Sequence, residues 1–150
     1  MLSRLFDIVV WQSALAVAIS VLVHEVGHAG VQRIFKLPVK IIEWGRGPRI
    51  LKIGVLEIRL LPFAGGIYPN GSELSGSRIA GALIAAGGIL AQWIGMVVIG
   101  RLQLHEIAWL KTFCIAYGMC AFLSLLVLIP FKGSDGYYLF KALVKRRQQV

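Results

Sequence analysis

Three long apolar runs constrain this chain more than any other feature of its sequence. They cover residues 8–30, 79–100 and 108–131, and the middle run has no charged side chain. As a helix that run is about 33 Å long at about 1.5 Å per residue, close to the roughly 30 Å thickness of a bilayer core. Each run therefore predicts a helix that crosses a membrane.

The composition agrees with this interpretation. Hydrophobic residues make up 57% of the chain and charged residues 15%, whereas soluble domains have about 45–50% and about 25%. We therefore expect a polytopic α-helical membrane protein with three core transmembrane helices. Residues 1–150 are predicted to form a single membrane-embedded domain, which disfavours a soluble enzyme.

The distribution of charge predicts the orientation of the chain in the membrane. Only three of the sixteen basic residues, Arg4, Arg101 and Lys111, fall on the side shared by the N-terminus and the loop before the third run. The excess on the other side places the N-terminus outside and the C-terminus in the cytoplasm. We expect a multi-pass protein of a prokaryotic plasma membrane. The basic tail, residues 137–150, is expected to contact anionic lipid, so the net charge of +9 does not indicate nucleic acid.

The segment between the first two runs, residues 38–68, predicts a β-loop on the cytoplasmic side. Apolar Leu56 and Ile58 alternate with charged Glu57 and Arg59, which indicates a β-hairpin that turns near Gly54. Such a hairpin either lies passively against the membrane face or offers an edge strand that pairs with an extended peptide.

The motif His24-Glu25-Val26-Gly27-His28 stands at the end of the first run. On a helix the two histidines lie one turn apart and can bind one metal ion, while Glu25 is about 100° away and suits a general base. A pair of hydrogen-bonded core histidines is the alternative. Ionisable side chains within a membrane are costly and usually functional, which favours the metal site.

A catalytic zinc ion takes three protein ligands and leaves one position for water. His105 and Glu106 lie at the opposite end of the predicted helices from His24 and His28. Asp135 follows the third run, at the same depth as the two histidines, and Pro130 and Gly133 could turn the chain back toward them. The alternative is that residues 134–136 form a polar turn where the chain leaves the membrane.

These motifs resemble those of the site-2 protease family of intramembrane zinc metalloproteases, over nearly the whole chain and without accessory domains. The matching pieces are HEVGH at 24–28, GRGP at 45–48, LPFAGGIY at 61–68, GILAQ at 88–92, and LIP at 128–130 with DG at 135–136. Two positions depart from the family pattern, because Gln92 and Val127 stand where asparagines are usual.

The resemblance implies one Zn²⁺ ion held by His24, His28 and Asp135, with Glu25 as the base. It implies an endopeptidase that hydrolyses peptide bonds within or near transmembrane segments of other proteins. The expected partners are a transmembrane protein or peptide substrate, the lipid bilayer and a regulatory membrane protein of unknown identity, with no nucleic acid. The alternative is a catalytically impaired member or a metal-binding membrane scaffold.

Four residues are predicted to contact the substrate. The strip Gly65-Gly66 and the hairpin around Gly54 could hold an extended peptide by main-chain pairing. Gln92 is predicted to replace in part the amide that the family pattern has at the position of Val127.

Overall fold

The computed structural model describes residues 2–69, 78–132 and 134–144. In chain order the elements are α1 (Leu2–Ile34), β1 (Val39–Ile53), β2 (Leu56–Pro69), α2 (Arg78–Arg101), α3 (Lys111–Leu123) and α4 (Asp135–Val144). Short 3-10 segments cover Leu104–Glu106, Ala108–Leu110 and Ser124–Leu128. Most of the predicted basic tail lies in α4, and residues 145–150 are outside the described part of the chain.

Three helical stretches are long and apolar enough to cross a membrane, namely Phe6–Ile34, Ile79–Arg101 and Ala108–Leu128. An antiparallel pair of strands lies between the first and the second. The predicted three helices with an intervening β-hairpin are therefore confirmed. The predicted third run extended to residue 131, but the helix ends at Leu128, because Ile129 is extended (ψ 124°) before Pro130.

The helices meet through small side chains, while large apolar side chains face outward. The buried apolar positions include Ala16, Ala18, Ala29, Ala80, Ala85 and Ala121. By contrast, Trp11, Ile94 and Phe122 are exposed over 75%, 64% and 67% of their surface. Small residues at helix contacts and large apolar residues outside are the pattern of helices packed in lipid.

The closest approach between α1 and α2 is made at two glycines. A Cβ added to Gly27 would lie 2.4 Å from the Gly87 carbonyl oxygen and 2.5 Å from Ala91 Cβ. A Cβ at Gly87 would lie 2.9 Å from the Gly27 carbonyl oxygen. The two backbones therefore touch directly, one residue before His28 and one before Gly88.

Each strand of the sheet bends and pairs twice with the other. Trp44 in β1 is opposite Ile58 on one side and Gly65 on the other, and Glu43 is likewise opposite Glu57 and Gly66. Glycine is needed at position 45, where φ is +107° and a Cβ would lie 3.0 Å from two carbonyl oxygens. The Trp44 indole nitrogen donates a hydrogen bond of 2.9 Å to the Ala18 carbonyl, which fastens the sheet to α1.

The predicted hairpin turn is confirmed at Gly54, where φ is +58°. Next to this turn Glu57 is buried and accepts a 3.0 Å hydrogen bond from Lys52 Nζ. That hydrogen bond lowers the pKa of Glu57 below its ordinary value. The nearby guanidinium groups of Arg49 and Arg59, 3.4 and 3.6 Å away, also balance its charge. The hairpin is therefore held by its own ion pairs.

Replacing Gly27 with alanine is expected to separate α1 from α2 and to lower the midpoint of thermal unfolding, because the added methyl group would overlap the Gly87 backbone. Gly30→Ala on the same helix is the control, since a Cβ there meets nothing within 4 Å. Thermal unfolding of both variants in detergent micelles measures the effect. Equal midpoints would show that the close contact does not hold the helices.

Candidate metal centre

Helix α1 presents His24 and His28 one turn apart on a single face. Their Nε2 atoms are 3.1 Å from each other, and the two rings meet edge to face. This is the arrangement that the HExxH spacing predicts, because positions i and i+4 lie side by side on a helix. Both imidazoles therefore point their outer nitrogens at one place.

Asp135 reaches the same place from the first turn of α4. Ser134 caps this helix, since its hydroxyl donates to the Ile129 carbonyl at 2.7 Å and accepts from the Tyr137 amide at 3.1 Å. The residue after Asp135 must be glycine, because a Cβ at position 136 would lie 1.9 Å from the Leu128 carbonyl oxygen. These contacts bring residues 134–137 back against residues 128 and 129, so the residues predicted as a possible exit turn instead begin a helix.

The three predicted ligands form a compact triangle. Asp135 Oδ2 is 2.9 Å from His24 Nε2 and 3.4 Å from His28 Nε2. Among the described parts of the chain these three residues form the group whose ligand atoms all lie within 4.8 Å of one another. The structure thus brings together His24, His28 and Asp135, and Glu25 is not part of the triangle.

Hydrogen bonds behind His24 determine which of its nitrogens carries the proton. Gln92 Nε2 lies 3.2 Å from the Ser20 carbonyl oxygen and 2.7 Å from the Ser20 hydroxyl. A carbonyl only accepts, so the amide nitrogen of Gln92 must face Ser20 and its oxygen must face His24. That oxygen is 3.1 Å from His24 Nδ1, which therefore donates. In the neutral ring, His24 Nε2 then carries a lone pair and no proton.

His28 is oriented in the same way by the backbone of α2. Its Nδ1 donates to the Ile84 carbonyl oxygen at 2.6 Å. This contact is shorter than the 3.3 Å to the Gly88 amide nitrogen, so it fixes the proton on Nδ1. Histidines that bind metal ions characteristically donate their second nitrogen to a carbonyl or a similar acceptor. The structure shows this arrangement for both histidines.

The donor set and its spacing fit a zinc ion. Two ligands of a tetrahedral zinc ion with bonds of about 2.0–2.1 Å are about 3.3 Å apart, and the triangle has sides of 2.9, 3.1 and 3.4 Å. Burial alone raises the pKa of Asp135, but its contacts with His24 and His28 outweigh this effect and hold that pKa well below its ordinary value. The carboxyl group is therefore ionised at neutral pH, as a ligand must be.

Glu25 lies beside the triangle and against the sheet. It is buried, and a Cβ added to Gly65 would lie 2.8 Å from Glu25 Oε1. Glu25, His24 and Gly65 line one cavity, which has a volume of about 300 Å³. Glu25 can therefore reach a molecule that binds between the metal ligands and strand β2.

Gly88 is a site residue that the sequence reasoning did not single out. A Cβ at this position would lie 2.6 Å from the Nε2 atoms of both His24 and His28. Gly88 therefore keeps the front of the triangle open. The signal was present in the sequence, because Gly87 and Gly88 are adjacent and lie five and four residues before Gln92. Ser20 and Gly136 were also missed, since their roles depend on contacts between elements.

The predicted substrate-binding residues lie in different surroundings. Gly65 is against Glu25, and Gly66 follows it in the same strand, opposite Glu43. Gln92 lines the cavity, but both of its amide atoms are hydrogen-bonded to Ser20 and His24. Gly54 is at the hairpin turn, where a Cβ would meet nothing within 4 Å. Substrate contact at these four positions stays a prediction.

A family comparison identifies the chain at family level. The model of peptidase family M50 matches residues 12–100 of the 150, which is more than half of the chain. The chain belongs to peptidase family M50, the site-2 protease family. A comparison with curated proteins finds no match.

Family M50 consists of metallopeptidases that in general depend on zinc, and together with the three apolar helices it indicates an integral membrane protein. The matched region begins within α1 and contains the rest of that helix, the sheet and nearly all of α2, so it includes His24, Glu25 and His28. It ends before Asp135. The placement of the third ligand therefore depends on the geometry of α4 and not on the family match.

Substitution of Gly88 with alanine is expected to reduce zinc content strongly, because the new methyl group would stand 2.6 Å from both ligand nitrogens. Gly100→Ala on the same helix is the control, since a Cβ there meets nothing within 4 Å. The measurement is the zinc-to-protein ratio after purification. Full zinc content in the Gly88 variant would show that the ion does not bind in front of this glycine.

Removing the amide of Gln92 is expected to weaken zinc binding about 10- to 100-fold, which is the usual effect of losing a group that orients a ligand. Gln92→Leu loses the acceptor for His24 Nδ1, whereas Gln92→Glu keeps an oxygen in that place. Competition with a zinc chelator measures the affinity of each variant. Equal affinities for Gln92→Leu and the wild type would contradict this role.

Proposed function

We propose that the chain is a zinc-dependent intramembrane endopeptidase that hydrolyses peptide bonds within or near transmembrane segments of other membrane proteins. The observation that carries this proposal is the position of Glu25. It is a buried carboxyl group between a triangle of metal ligands and the glycine strip of β2. A carboxyl group in this place is suited to accept a proton as the base of a hydrolytic reaction.

In the proposed reaction the protein holds the substrate as an extended strand. Gly65, Gly66 and Ile67 pair with residues 42–44 along one edge, and among the described residues no strand pairs with their other edge. A peptide added there gains main-chain hydrogen bonds that replace those of its unwound helix. Because Gly65 touches Glu25, such pairing brings a peptide bond next to the base.

The chemistry is divided between the zinc site and Glu25. Zinc, when bound by His24, His28 and Asp135, polarises the carbonyl group of the scissile bond and makes water nucleophilic at neutral pH. Glu25 Oε1 accepts the proton from that water and later delivers it to the leaving amine. Gln92 and the Ile84 carbonyl keep both histidines in the tautomer that the site requires.

The proposal includes the predicted orientation in a prokaryotic plasma membrane, with the C-terminus in the cytoplasm. The triangle lies near the C-terminal end of α1 and the N-terminal end of α4, both on the predicted cytoplasmic side. Water can then enter from the cytoplasm, while the apolar outer faces of the helices remain in lipid.

A catalytically impaired member or a metal-binding scaffold is the second candidate, and one observation favours it. The family pattern has an asparagine at the position of Val127. Val127 lines the same cavity as Glu25 and His24, so this cavity lacks the amide group of that asparagine. Cleavage of a reconstituted single-span peptide by the zinc-loaded protein separates the two candidates.

Glu25→Gln is expected to keep zinc and to lower the cleavage rate by about 10²- to 10⁴-fold, because the amide cannot accept the proton. His24→Ala and Asp135→Ala are expected to lose zinc as well as activity. Zinc content and cleavage of a single-span peptide are measured together in lipid nanodiscs. An active Glu25→Gln protein would remove Glu25 from the mechanism.

A further inference from the structure

We propose that the cavity beside Glu25 is a specificity pocket that takes one large apolar side chain of the substrate, next to the peptide bond that is cut. This inference rests on the proposed proteolytic function and narrows its substrates. The cavity has a volume of about 300 Å³ and is continuous with the site, since His24, Glu25 and Gly65 are part of its wall.

The apolar part of the remaining wall is built by three elements. Helix α1 contributes Val17 and Val21, strand β2 contributes Ala64, and the end of the third span contributes Cys120, Leu123 and Val127. These side chains carry no formal charge and, apart from the thiol, no polar atom. A side chain that enters the cavity therefore contacts mainly carbon and sulfur.

Apart from His24 and Glu25, which belong to the reaction site, the polar side chains in the wall already have partners within the protein. Ser124 donates to the Ala121 carbonyl at 2.7 Å, and Gln92 uses both amide atoms on Ser20 and His24. Away from Glu25, a polar or charged substrate side chain would lose its water and find little to replace it. Burying a polar group without a hydrogen-bond partner is unfavourable, so the cavity selects apolar side chains.

The volume determines which apolar side chains fit. A dry cavity of about 150 Å³ in another protein is large enough to bind benzene. The cavity here is about twice as large and partly open, so leucine and phenylalanine side chains both fit. Alanine would leave most of the cavity unfilled and lose the contacts that large side chains make.

The first test measures cleavage of single-span peptides that differ only at the two residues flanking the scissile bond. The wild type in nanodiscs is expected to cleave peptides with leucine or phenylalanine at one of these positions about 10- to 100-fold faster, as kcat/KM, than peptides with alanine or aspartate there. Equal rates across the panel would overturn the inference while leaving the proposed function intact.

The second test fills the cavity from two elements of its wall, α1 and the end of the third span. Val127→Phe and Val17→Phe are each expected to lower kcat/KM for the phenylalanine peptide by about tenfold or more relative to the alanine peptide. Zinc content should be unchanged, because neither residue belongs to the metal triangle. Met119→Phe is the matched control, since Met119 is on α3 but is 60% exposed and outside the cavity wall. An unchanged preference in both filled variants would contradict the pocket.

The third test uses Cys120 as a reporter and needs no cleavage. The Glu25→Gln protein is mixed with a substrate peptide that carries one cysteine at the selected position, and a disulfide is formed with diamide. The crosslink is expected in this protein, to be lost with Cys120→Ser, and to persist with Cys114→Ser, because Cys114 is buried outside the cavity wall.

The outcomes separate the two proposals. Crosslinking to Cys120 without any cleavage by the wild type would show that the cavity takes the side chain, but it would overturn the proteolytic function and with it the role of the cavity in cleavage specificity. Cleavage without crosslinking, at equal rates for all peptides, would support the function and overturn the pocket.

Discussion

The site depends on a triangle of three atoms that repel one another unless a positive charge lies among them. Two imidazole nitrogens and a carboxylate oxygen are within 3.4 Å of each other. The hydrogen bonds of Gln92 and the Ile84 carbonyl place the imidazole protons on the far side of each ring. Neutral rings then have only lone pairs to present, and a metal ion or an additional proton must balance them. The hydrogen bonds behind the histidines therefore favour a metal ion before one binds.

Helix α1 can supply the site only because its neighbours come unusually close. Helix α2 touches α1 through Gly27 and Gly87, and Gly88 leaves space in front of the ligand nitrogens. Strand β2 comes next to Glu25 at Gly65. The loop before α4 needs Gly136 for the same reason. Where several elements must reach one ion, backbone has to approach side chain directly, and glycine at each contact makes this possible.

The sequence predicted those parts of the structure that depend on local patterns. Long apolar runs gave the three helices, alternation gave the hairpin that turns at Gly54, and the i, i+4 spacing gave the pairing of His24 and His28. Asp135 was predicted from topology, because the first and third spans run in the same direction and their C-terminal ends lie at the same depth. Each of these inferences needed only one element or the order of elements along the chain.

The contacts between elements were not predictable in the same way. Gln92 turns both amide atoms toward Ser20 and His24 because of the rotation of α2 against α1. The spacing of apolar residues along the sequence does not determine this rotation. The role of Gly88 depends on the same rotation. Trp44 bonding to the Ala18 carbonyl depends on how the bent strands cross α1. Such contacts follow from the packing of small residues. The positions of small residues in a sequence do not indicate which face of a helix meets its neighbour.

The apolar setting of the HExxH motif also has a physical explanation. Inside a membrane, every polar group that does not react must find its partner within the protein. Here Gln92, Ser20, Ser124 and the histidine Nδ1 atoms are all hydrogen-bonded to other protein groups. In the described part of the cavity, the groups left to act on a substrate are the metal triangle, Glu25 and the free edge of β2. In the proposed reaction the apolar wall around them restricts entry to segments that are themselves apolar, so the environment that appears unfavourable to hydrolysis selects the substrate.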